Sequence, residues 1–387
     1  LTKQTLASGA VMPSYMYEQY PGIDHLRRGI HLLVTCKQAT SAAEQLGRGR
    51  VLSELYGCGG HDTSFEDQKW MGDWEYALGV NYRCQHLTWY SMRGCRKYDY
   101  PPCISYQQPW WGDYRIVEDY FGRLSYMLTR GRRVAELLVL HPVSSAWVEL
   151  SPLDHAKADA RSAQFEELSI WLTQLHRDYH YGDDHIIQEF GEAGEGRFRV
   201  GEYSYPLVVL PPMSNIARGT LEKLLAFLDS GGRAVAAGEL PQHVSGESDE
   251  ALGCLRDHIN LKTVPFNRQS LAAALEEALP RRVSVLGPGG EAPEIYAAER
   301  EADGKGIFFF ANISLTKVCD VELSLPLAGR VEQWDPETGD VAELPALTEG
   351  GRSTLRHRFE PAGSLLLVVD PAKKSTAREA LPRTREV

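Results

Sequence analysis

RVLSELYG, at residues 50–57, is the stretch around which the chain is organised. It reads as a short buried strand that delivers one carboxylate, Glu54, and then stops at Gly57. Ahead of it, apolar residues recur at helical spacing over 23–46, and Gly47 is a typical helix stop. We therefore expect a helix over 23–46 and then a strand that carries Glu54 at its carboxyl end.

The residues that follow Gly57 predict a second helix and a second strand. TSFE at 63–66 has the spacing of a capping box, and the apolar face of 70–78 ends at a glycine. QHLTWYSM at 85–92 then alternates in the manner of a strand. The order strand, helix, strand is that of a βαβ unit, in which functional residues lie at the carboxyl ends of the strands.

Composition excludes several classes of partner. The chain has 387 residues, 43% of them hydrophobic and 24% charged, which is typical of a globular protein with room for two or three domains. A net charge of −11 argues against nucleic acid or an anionic membrane as the main partner, because both need a basic face. No apolar run is long enough to span a membrane.

The cysteines indicate a cellular compartment, and the first residues indicate whether the chain is part of a longer protein. Seven cysteines without a CxxC pair fit reduced thiols, so we expect a cytoplasmic protein. The chain opens with Leu1 in mid-pattern, so we expect it to be a fragment of something longer.

Two further regions follow the first 128 residues. Apolar strand-like runs at 134–140, 207–212 and 234–237, with helical patterns between them, predict a doubly wound α/β domain over 129–283. It contains no GxGxxG motif and no P-loop, so no nucleotide cofactor is expected. Short alternating strands then predict an antiparallel β-sandwich over 284–372, followed by a disordered tail over 373–387.

Several short segments together resemble family 106 glycoside hydrolases, the α-L-rhamnosidase family. They are LSELYG (52–57), KWMGDW (69–74), GVN (79–81), HLTWYSMRG (86–94), DYPP (99–102), YQQPWW (106–111) and DYFGRLS (119–125). Their order and spacing over residues 40–150 make the likeness more specific than any one segment. The succession of domains is also similar to that of family 42 β-galactosidases.

The resemblance implies a fold and a chemistry. Residues 1–128 would be the last third of a (β/α)8 barrel, followed by a flavodoxin-like domain and the β-sandwich. A complete barrel takes about 250 residues, so the earlier strands would lie upstream of Leu1. With them would go the second carboxylate that glycoside hydrolysis requires. Glu54, near the end of strand seven, would be a general base or calcium-linked carboxylate in an inverting enzyme, or the nucleophile in a retaining one. The resemblance also implies Ca²⁺ as a cofactor.

Each candidate residue also has an ordinary structural explanation. Glu54 is either catalytic or a capping or salt-bridging carboxylate, and His86 either contacts a sugar hydroxyl or bonds a backbone carbonyl in the core. Aromatic rings are most often core residues, although sugar sites stack pyranose rings on them. Two further acidic residues, Asp62 and Asp73, are candidates for the site. The alternative for Asp62 is a charge that favours a helix N-terminus, and the alternative for Asp73 is a position that faces solvent. The candidates for substrate contact are His86, Tyr90, Trp89, Tyr56, Trp110, Trp111 and Asp62. The pair Asp183–Asp184 resembles a metal cluster only superficially, and we interpret it as a polar loop.

Two functions of different class remain. The first is a glycoside hydrolase that removes terminal α-L-rhamnosyl or similar residues from an oligosaccharide or glycoside with paired carboxylates, one of them Glu54. The second is a non-catalytic carbohydrate-binding or oligomerisation module of a larger glycosidase, with the architecture of family 42 β-galactosidases and the capacity to form a homo-oligomer.

Overall fold

A computed structural model describes residues 2–31 and 33–375 of the chain. The described residues form two units: unit 1 lies within 1–22, 32–51 and 135–281, and unit 2 lies within 23–31, 52–134 and 282–387. The predicted domain boundaries at 128, 283 and 372 stay predictions. The predicted disordered tail falls largely on residues 376–387, which lie outside the described residues.

The chain alternates helices and strands before it becomes almost entirely β-structure. The helices are α1 (Thr2–Ser8), α2 (Leu33–Gln45), α3 (Phe65–Leu78), α4 (Arg115–Leu128), α5 (Val143–Glu149), α6 (Ala156–Gln174), α7 (Asp184–Phe190), α8 (Arg218–Asp229), α9 (Ala251–Arg256) and α10 (Arg268–Ala278). The strands are β1 (Gly22–His25), β2 (Leu52–Leu55), β3 (Tyr82–Gln85), β4 (Arg132–Arg133), β5 (Leu137–Leu140), β6 (Tyr179–Gly182), β7 (Gly191–Gly194), β8 (Arg197–Val200), β9 (Tyr203–Tyr205), β10 (Leu207–Leu210), β11 (Asn215–Ile216), β12 (Arg233–Ala237), β13 (His243–Val244), β14 (Leu261–Val264), β15 (Ser284–Gly287), β16 (Gly290–Glu291), β17 (Ile295–Ala302), β18 (Lys305–Asn312), β19 (Cys319–Leu325), β20 (Arg330–Trp334), β21 (Val341–Leu344), β22 (Leu347–Glu349), β23 (Arg352–Phe359) and β24 (Ser364–Asp370).

Unit 1 is built on a parallel sheet. Its five strands lie in the order β14-β12-β10-β5-β6, and every neighbouring pair is parallel. Numbered along the chain, this is the order 2-1-3-4-5, which is the flavodoxin-like form of the doubly wound fold. Strands β5 and β10 are buried along their whole length, as expected of strands with helices on both faces.

Unit 2 begins with the small sheet that carries Glu54. Its three strands lie in the order β1-β2-β3, with β2 and β3 parallel and helix α3 between them in sequence. No closed barrel is formed by the part of the chain that the structure describes. Helix α3 packs on strands β17 and β18, where Trp70 Nε1 donates a hydrogen bond to the carbonyl of Ile313 (2.8 Å).

The rest of unit 2 is a sandwich of two antiparallel sheets. One has five strands, in the order β16-β15-β19-β23-β22, and the other has six, in the order β21-β20-β24-β18-β17-β4. One buried cluster takes side chains from both sheets, such as Leu323 and Leu355 from the first and Phe308, Phe310 and Leu367 from the second. Alternating strands thus bury one face of each sheet against the other.

The structure differs from the sequence prediction at two elements that flank strand β2 in the sequence. The predicted helix over 23–46 is wrong at its start, because 22–25 forms strand β1 and the helix spans only Leu33–Gln45. The predicted strand over 85–92 is also wrong: β3 is Tyr82–Gln85, and residues 86–92 have no regular structure. Strand β2 ends opposite Gln85, so the later residues have no neighbouring strand to pair with.

Three smaller expectations can be compared directly. The capping box of α3 is present, but it is shifted by one residue: Ser64 is the N-cap and Asp67 is its partner. All seven cysteines are free thiols in the structure. No helix among the described residues is both long and apolar enough to span a bilayer.

Candidate functional site

Strand β2 presents Glu54 on the opposite face from its buried neighbours. Burial alternates along the strand, with Ser53 and Leu55 buried and Leu52 and Glu54 partly exposed. No described residue donates a hydrogen bond to the Glu54 carboxylate or forms an ion pair with it. Its register partner on β3 is Cys84, which is exposed. Glu54 is therefore a half-buried carboxylate whose oxygens are free for a ligand.

A buried polar cluster joins helix α3 to strands β1 and β2. Glu75 Oε1 accepts a hydrogen bond from Ser53 Oγ (3.0 Å) and lies 2.8 Å from His25 Nδ1. The other ring nitrogen of His25 lies 2.6 Å from the carbonyl oxygen of Gly29, which can only accept. Both His25 and Glu75 are fully buried. The cluster thus fixes the histidine ring and, through it, the orientation of β1.

The same cluster shows which side chains share a face with Glu54. Because His25 and Ser53 reach one oxygen of Glu75, they lie on the same face of neighbouring strands. Side chains alternate along a strand, so Asp24 and Glu54 lie together on the opposite face. Asp24 is exposed, and no described residue bonds its carboxylate. The sheet therefore carries two unpaired carboxylates on one face.

Asp24 was missed by the sequence analysis because residues 23–30 were assigned to a helix. The signal was present in the alternation Ile23-Asp24-His25, where the outer two residues are buried and the middle one is exposed. Three residues are too few to separate a strand from one turn of an amphipathic helix.

On strand β3, the Arg83 side chain points toward α4 and joins the two elements by hydrogen bonds. Its guanidinium donates to Glu118 Oε1 (2.7 Å) and to the hydroxyl of Tyr114 (3.1 Å). Burial lowers the pKa of Arg83, but the nearby Tyr56, Tyr114 and Glu118 outweigh it, and the net shift is upward. Arg83 is therefore a fixed cation that anchors β3.

Tyr56, one of the predicted substrate contacts, lies inside the protein. It has no exposed surface, and its hydroxyl donates to the carbonyl of Gln68 (3.1 Å). Burial raises the pKa of the Tyr56 phenol well above its usual range. In this structure Tyr56 has no surface to offer a ligand.

His86 lies directly beyond the carboxyl ends of β2 and β3. Its backbone N–H donates to the carbonyl of Leu55 (2.8 Å), and its ring lies edge-on to Tyr100. A Cβ at Gly57 would come within 3.2 Å of His86 Cγ and within 2.8 Å of Leu26 Cδ2, so a larger residue there would push against both side chains. This close approach places the half-buried imidazole beside the end of the strand that carries Glu54.

The aromatic candidates fall into two groups. Trp89 is buried and packs edge-on against His61 (5.5 Å between ring centroids), and its neighbour Tyr90 is fully exposed. Trp110 and Trp111 instead pack on Tyr114, which Trp111 stacks at an interplanar angle of 18°. The structure therefore does not bring the four predicted rings together into one platform.

The remaining acidic candidates have local partners. Asp62 is largely exposed and pairs with Arg28 (3.2 Å) ahead of α3. Asp73 is buried and accepts hydrogen bonds from Lys69 Nζ (2.7 Å) and the hydroxyl of Tyr120 (2.6 Å), so it does not face solvent. Asp62 and Asp73 therefore have side-chain partners, whereas the Glu54 carboxylate has none among the described residues.

The acidic pair in unit 1 caps a helix. The Asp183 side chain accepts from the backbone N–H groups of His185 and Ile186 at the start of α7, and Asp184 accepts from Thr220 Oγ1 (2.6 Å). Burial raises the pKa of Asp183 to about 6. The predicted polar loop is therefore an N-cap.

The donors on the Glu54 face do not by themselves fit a calcium ion. Calcium takes six to eight oxygen ligands, whereas this face supplies the carboxylates of Asp24 and Glu54. Among the described residues, no group of three or more His, Cys, Asp or Glu side chains could hold a metal ion. We therefore derive no chemical step through calcium.

Comparison with solved structures identifies proteins with the same fold. A rhamnosidase from Novosphingobium sp. PP1Y aligns with 97% of this chain and 37% of its own, at 17% identity and a TM-score of 0.70. The GH42 β-galactosidase Gan42B from G. stearothermophilus aligns with 92% of this chain and 60% of its own, at 10% identity and a TM-score of 0.62. The α-L-fucosidase isoenzyme 2 from Paenibacillus thiaminolyticus aligns with 90% of this chain and 65% of its own, at 11% identity and a TM-score of 0.56.

The likeness to these glycosidases is one of fold. The chain has a mixed α/β architecture of several sheets that aligns with theirs over most of its length, at identities too low to carry more. It spans between 37% and 65% of the length of those three proteins. No protein-family model matches the chain, and a search of curated proteins found no significant match. Membership of family 106 stays a prediction.

Proposed function

We propose that this chain is part of a glycoside hydrolase that acts on terminal α-L-rhamnosyl or similar linkages, with Glu54 as one of the two catalytic carboxylates. The observation that carries the proposal is the position of Glu54: it lies on a parallel strand next to the carboxyl end, on the face turned away from α3, and has no internal partner. The fold shared with solved glycosidases adds support.

The chemistry of glycoside hydrolysis gives Glu54 a definite role. One carboxylic acid protonates the leaving oxygen while a second carboxylate activates water or attacks the sugar carbon. Glu54 has no cation or internal donor to neutralise it and is only partly exposed, which suits a general base or nucleophile. Asp24, on the neighbouring strand, is placed to accept hydrogen bonds from sugar hydroxyls. The proton donor to the leaving group would come from outside the residues described.

Substrate class is tested by hydrolysis of aryl glycosides. We expect the full-length protein to release aglycone from an aryl α-L-rhamnoside faster than from the matching β-D-galactoside or α-L-fucoside. Calcium dependence is a proposal from the family resemblance, so each reaction is run with added calcium and with a chelator. Faster hydrolysis of another sugar would overturn the rhamnosyl assignment and keep the glycosidase one.

Asp24→Asn separates substrate binding from chemistry. Because the change removes an acceptor for sugar hydroxyls and leaves Glu54 in place, KM should rise about tenfold or more, with a smaller change in kcat. The matched control is Glu222→Gln, an exposed glutamate on α8. If Asp24→Asn left KM unchanged, Asp24 would have no part in binding.

The second candidate function is a non-catalytic carbohydrate-binding or oligomerisation module. It is favoured by the flavodoxin-like sheet and the sandwich, which have cores of their own. Saturable sugar binding without turnover of any aryl glycoside would select this function over the first.

A further inference from the structure

Unit 1 contains a cavity at the carboxyl edge of its parallel sheet. The cavity has a volume of about 550 Å³. Its walls come from α5, which follows β5, from Ser214 beyond β10, from Glu239 and His243 beyond β12, and from the first turns of α6. Strands β5 and β10 are the neighbours at which the strand order 2-1-3-4-5 reverses direction. In open α/β sheets, ligands bind at this edge and at this switch point.

The charges that line the cavity cancel one another. Arg161 is almost fully buried and donates two hydrogen bonds to Glu149 (2.7 and 3.3 Å) and a third to Glu239 (3.1 Å). Burial lowers the pKa of Arg161, but the two carboxylates outweigh it and raise the pKa overall. Lys157, on the exposed side, balances the remaining negative charge. A charged ligand would therefore find no unpaired opposite charge inside the cavity.

Several polar atoms of the lining lack a partner. Ser214 Oγ and His243 Nδ1 are buried, and neither is bonded by any described residue. Gln242 donates its amide N–H to Glu239 (2.9 Å), which leaves its carbonyl oxygen as a free acceptor. The Gln164 carbonyl faces Arg161 (3.4 Å), and its amide N–H groups are left to donate. Buried polar groups are normally satisfied, so the two unpartnered buried atoms, Ser214 Oγ and His243 Nδ1, point to a ligand in the cavity. The free amide groups of Gln164 and Gln242, which are nearer solvent, offer further donors and an acceptor.

We propose that this cavity binds a neutral polyhydroxylated ligand of the size of a mono- or disaccharide. A sugar hydroxyl both donates and accepts, which matches the mixture of free donors and acceptors on the walls. The volume lies within the range of small-molecule sites, and the balanced charges disfavour phosphates and uronates. The proposal does not rest on the proposed catalytic function, because the residues of the cavity belong to unit 1 and Glu54 belongs to unit 2.

The test is a binding measurement on the 387-residue chain. Saturation-transfer NMR and calorimetric titration would use L-rhamnose, D-glucose and maltose as neutral probes, with glucuronate and inorganic phosphate as charged comparators. Ala160→Phe fills the cavity from an exposed position of α6, and Ala163→Phe makes the same change at an exposed position of α6 outside the lining. Gln242→Ala removes a polar group without filling space.

We expect saturable binding of at least one neutral sugar, weakened about tenfold or more by Ala160→Phe and by Gln242→Ala but not by Ala163→Phe. Absence of binding, equal binding by the two phenylalanine variants, or tighter binding of phosphate than of any sugar would each overturn the proposal. Concentration-dependent self-association abolished by Ala160→Phe, without sugar binding, would assign the cavity to an interface instead.

Discussion

At the scale of single residues, Glu75 decides the geometry of the candidate site without facing it. One of its oxygens joins Ser53 on β2 and His25 on β1, and both contacts lie on the face away from Glu54. The ring of His25 is held at both nitrogens, one beside the Glu75 carboxylate and one beside the Gly29 carbonyl. The strand positions of Asp24 and Glu54 therefore depend on this buried hydrogen-bonded cluster on the other face of the sheet.

Glu75→Gln should destabilise unit 2 strongly. The amide accepts hydrogen bonds more weakly than the carboxylate and adds a buried N–H without an acceptor, and a buried donor left unsatisfied costs about 1–3 kcal/mol. Asp62→Asn is the comparison, since its ion pair with Arg28 is largely exposed and worth about 1 kcal/mol or less. Urea unfolding measures both variants. A loss for Glu75→Gln no larger than that for Asp62→Asn would contradict the role given to Glu75.

The raised pKa of Asp183 makes the stability of the fold depend on pH. Its pKa is raised by burial from 3.8 to about 6, and the nearby His141 stays neutral because burial lowers the pKa of His141 to about 3. Between pH 3.8 and 6 the folded state holds a proton that the unfolded state has released. Stability from this group therefore falls as the pH rises through that window, by on the order of 3 kcal/mol in total.

Asp183→Asn should remove this dependence. Asparagine caps a helix as well as aspartate does and carries no titrating proton. The melting temperature of the variant, relative to that of the unmodified protein, should therefore be higher at pH 7.5 than at pH 4. A difference in melting temperature that is the same at both pH values would refute the assignment of the raised pKa.

At the scale of elements, helix α3 links the site to the sandwich, and its first turn depends on one side chain. Ser64 Oγ accepts from the backbone N–H of Asp67 (3.0 Å), and the Asp67 carboxylate accepts from the Ser64 backbone (2.9 Å). Ser64→Ala should lower the unfolding free energy by about 1 kcal/mol, whereas Ser64→Asp keeps an acceptor and should change it little. Equal losses in chemical denaturation for the two variants would show that the cap contributes nothing.

The same elements show what the sequence could and could not predict. Helix α3, its capping box to within one residue, strand β2 and the parallel strands β5, β10 and β12 follow from periodicity and from glycine stops. Strands β1 and β3 do not, because their limits depend on pairing with β2 and no glycine stop or apolar run marks them. The missed Asp24 is a direct consequence of the missed β1.

Side-chain packing explains which candidate residues could not be judged in advance. Tyr56 and Glu54 lie two residues apart on one run, yet one is fully buried and the other is free on the outer face. Tyr56 has a positive φ of 81°, and such a turn at the strand end cannot be inferred from alternation. Likewise Trp89 and Tyr90 are adjacent aromatic residues, yet Trp89 is buried and Tyr90 is fully exposed, and their spacing does not distinguish them.

At the scale of the whole molecule, the two proposed sites lie in different units of the chain. Unit 2 carries the Glu54 face, and unit 1 carries the cavity at its switch point. The fold aligns with solved glycosidases over 90–97% of this chain, but with only 37–65% of theirs. The proposed activity is therefore tested on this chain and on any longer protein that contains it.

The catalytic role of Glu54 is tested by the turnover number of Glu54→Gln, in a protein that contains the whole of this chain, on an aryl α-L-rhamnoside, with Glu222→Gln as the matched control. Because the amide keeps the shape of the side chain and removes only its charge, kcat should fall by about 10²- to 10⁴-fold, with little change in unfolding free energy. Near-normal turnover by Glu54→Gln, beside a normally active Glu222→Gln, would contradict the assignment of Glu54 as a catalytic carboxylate.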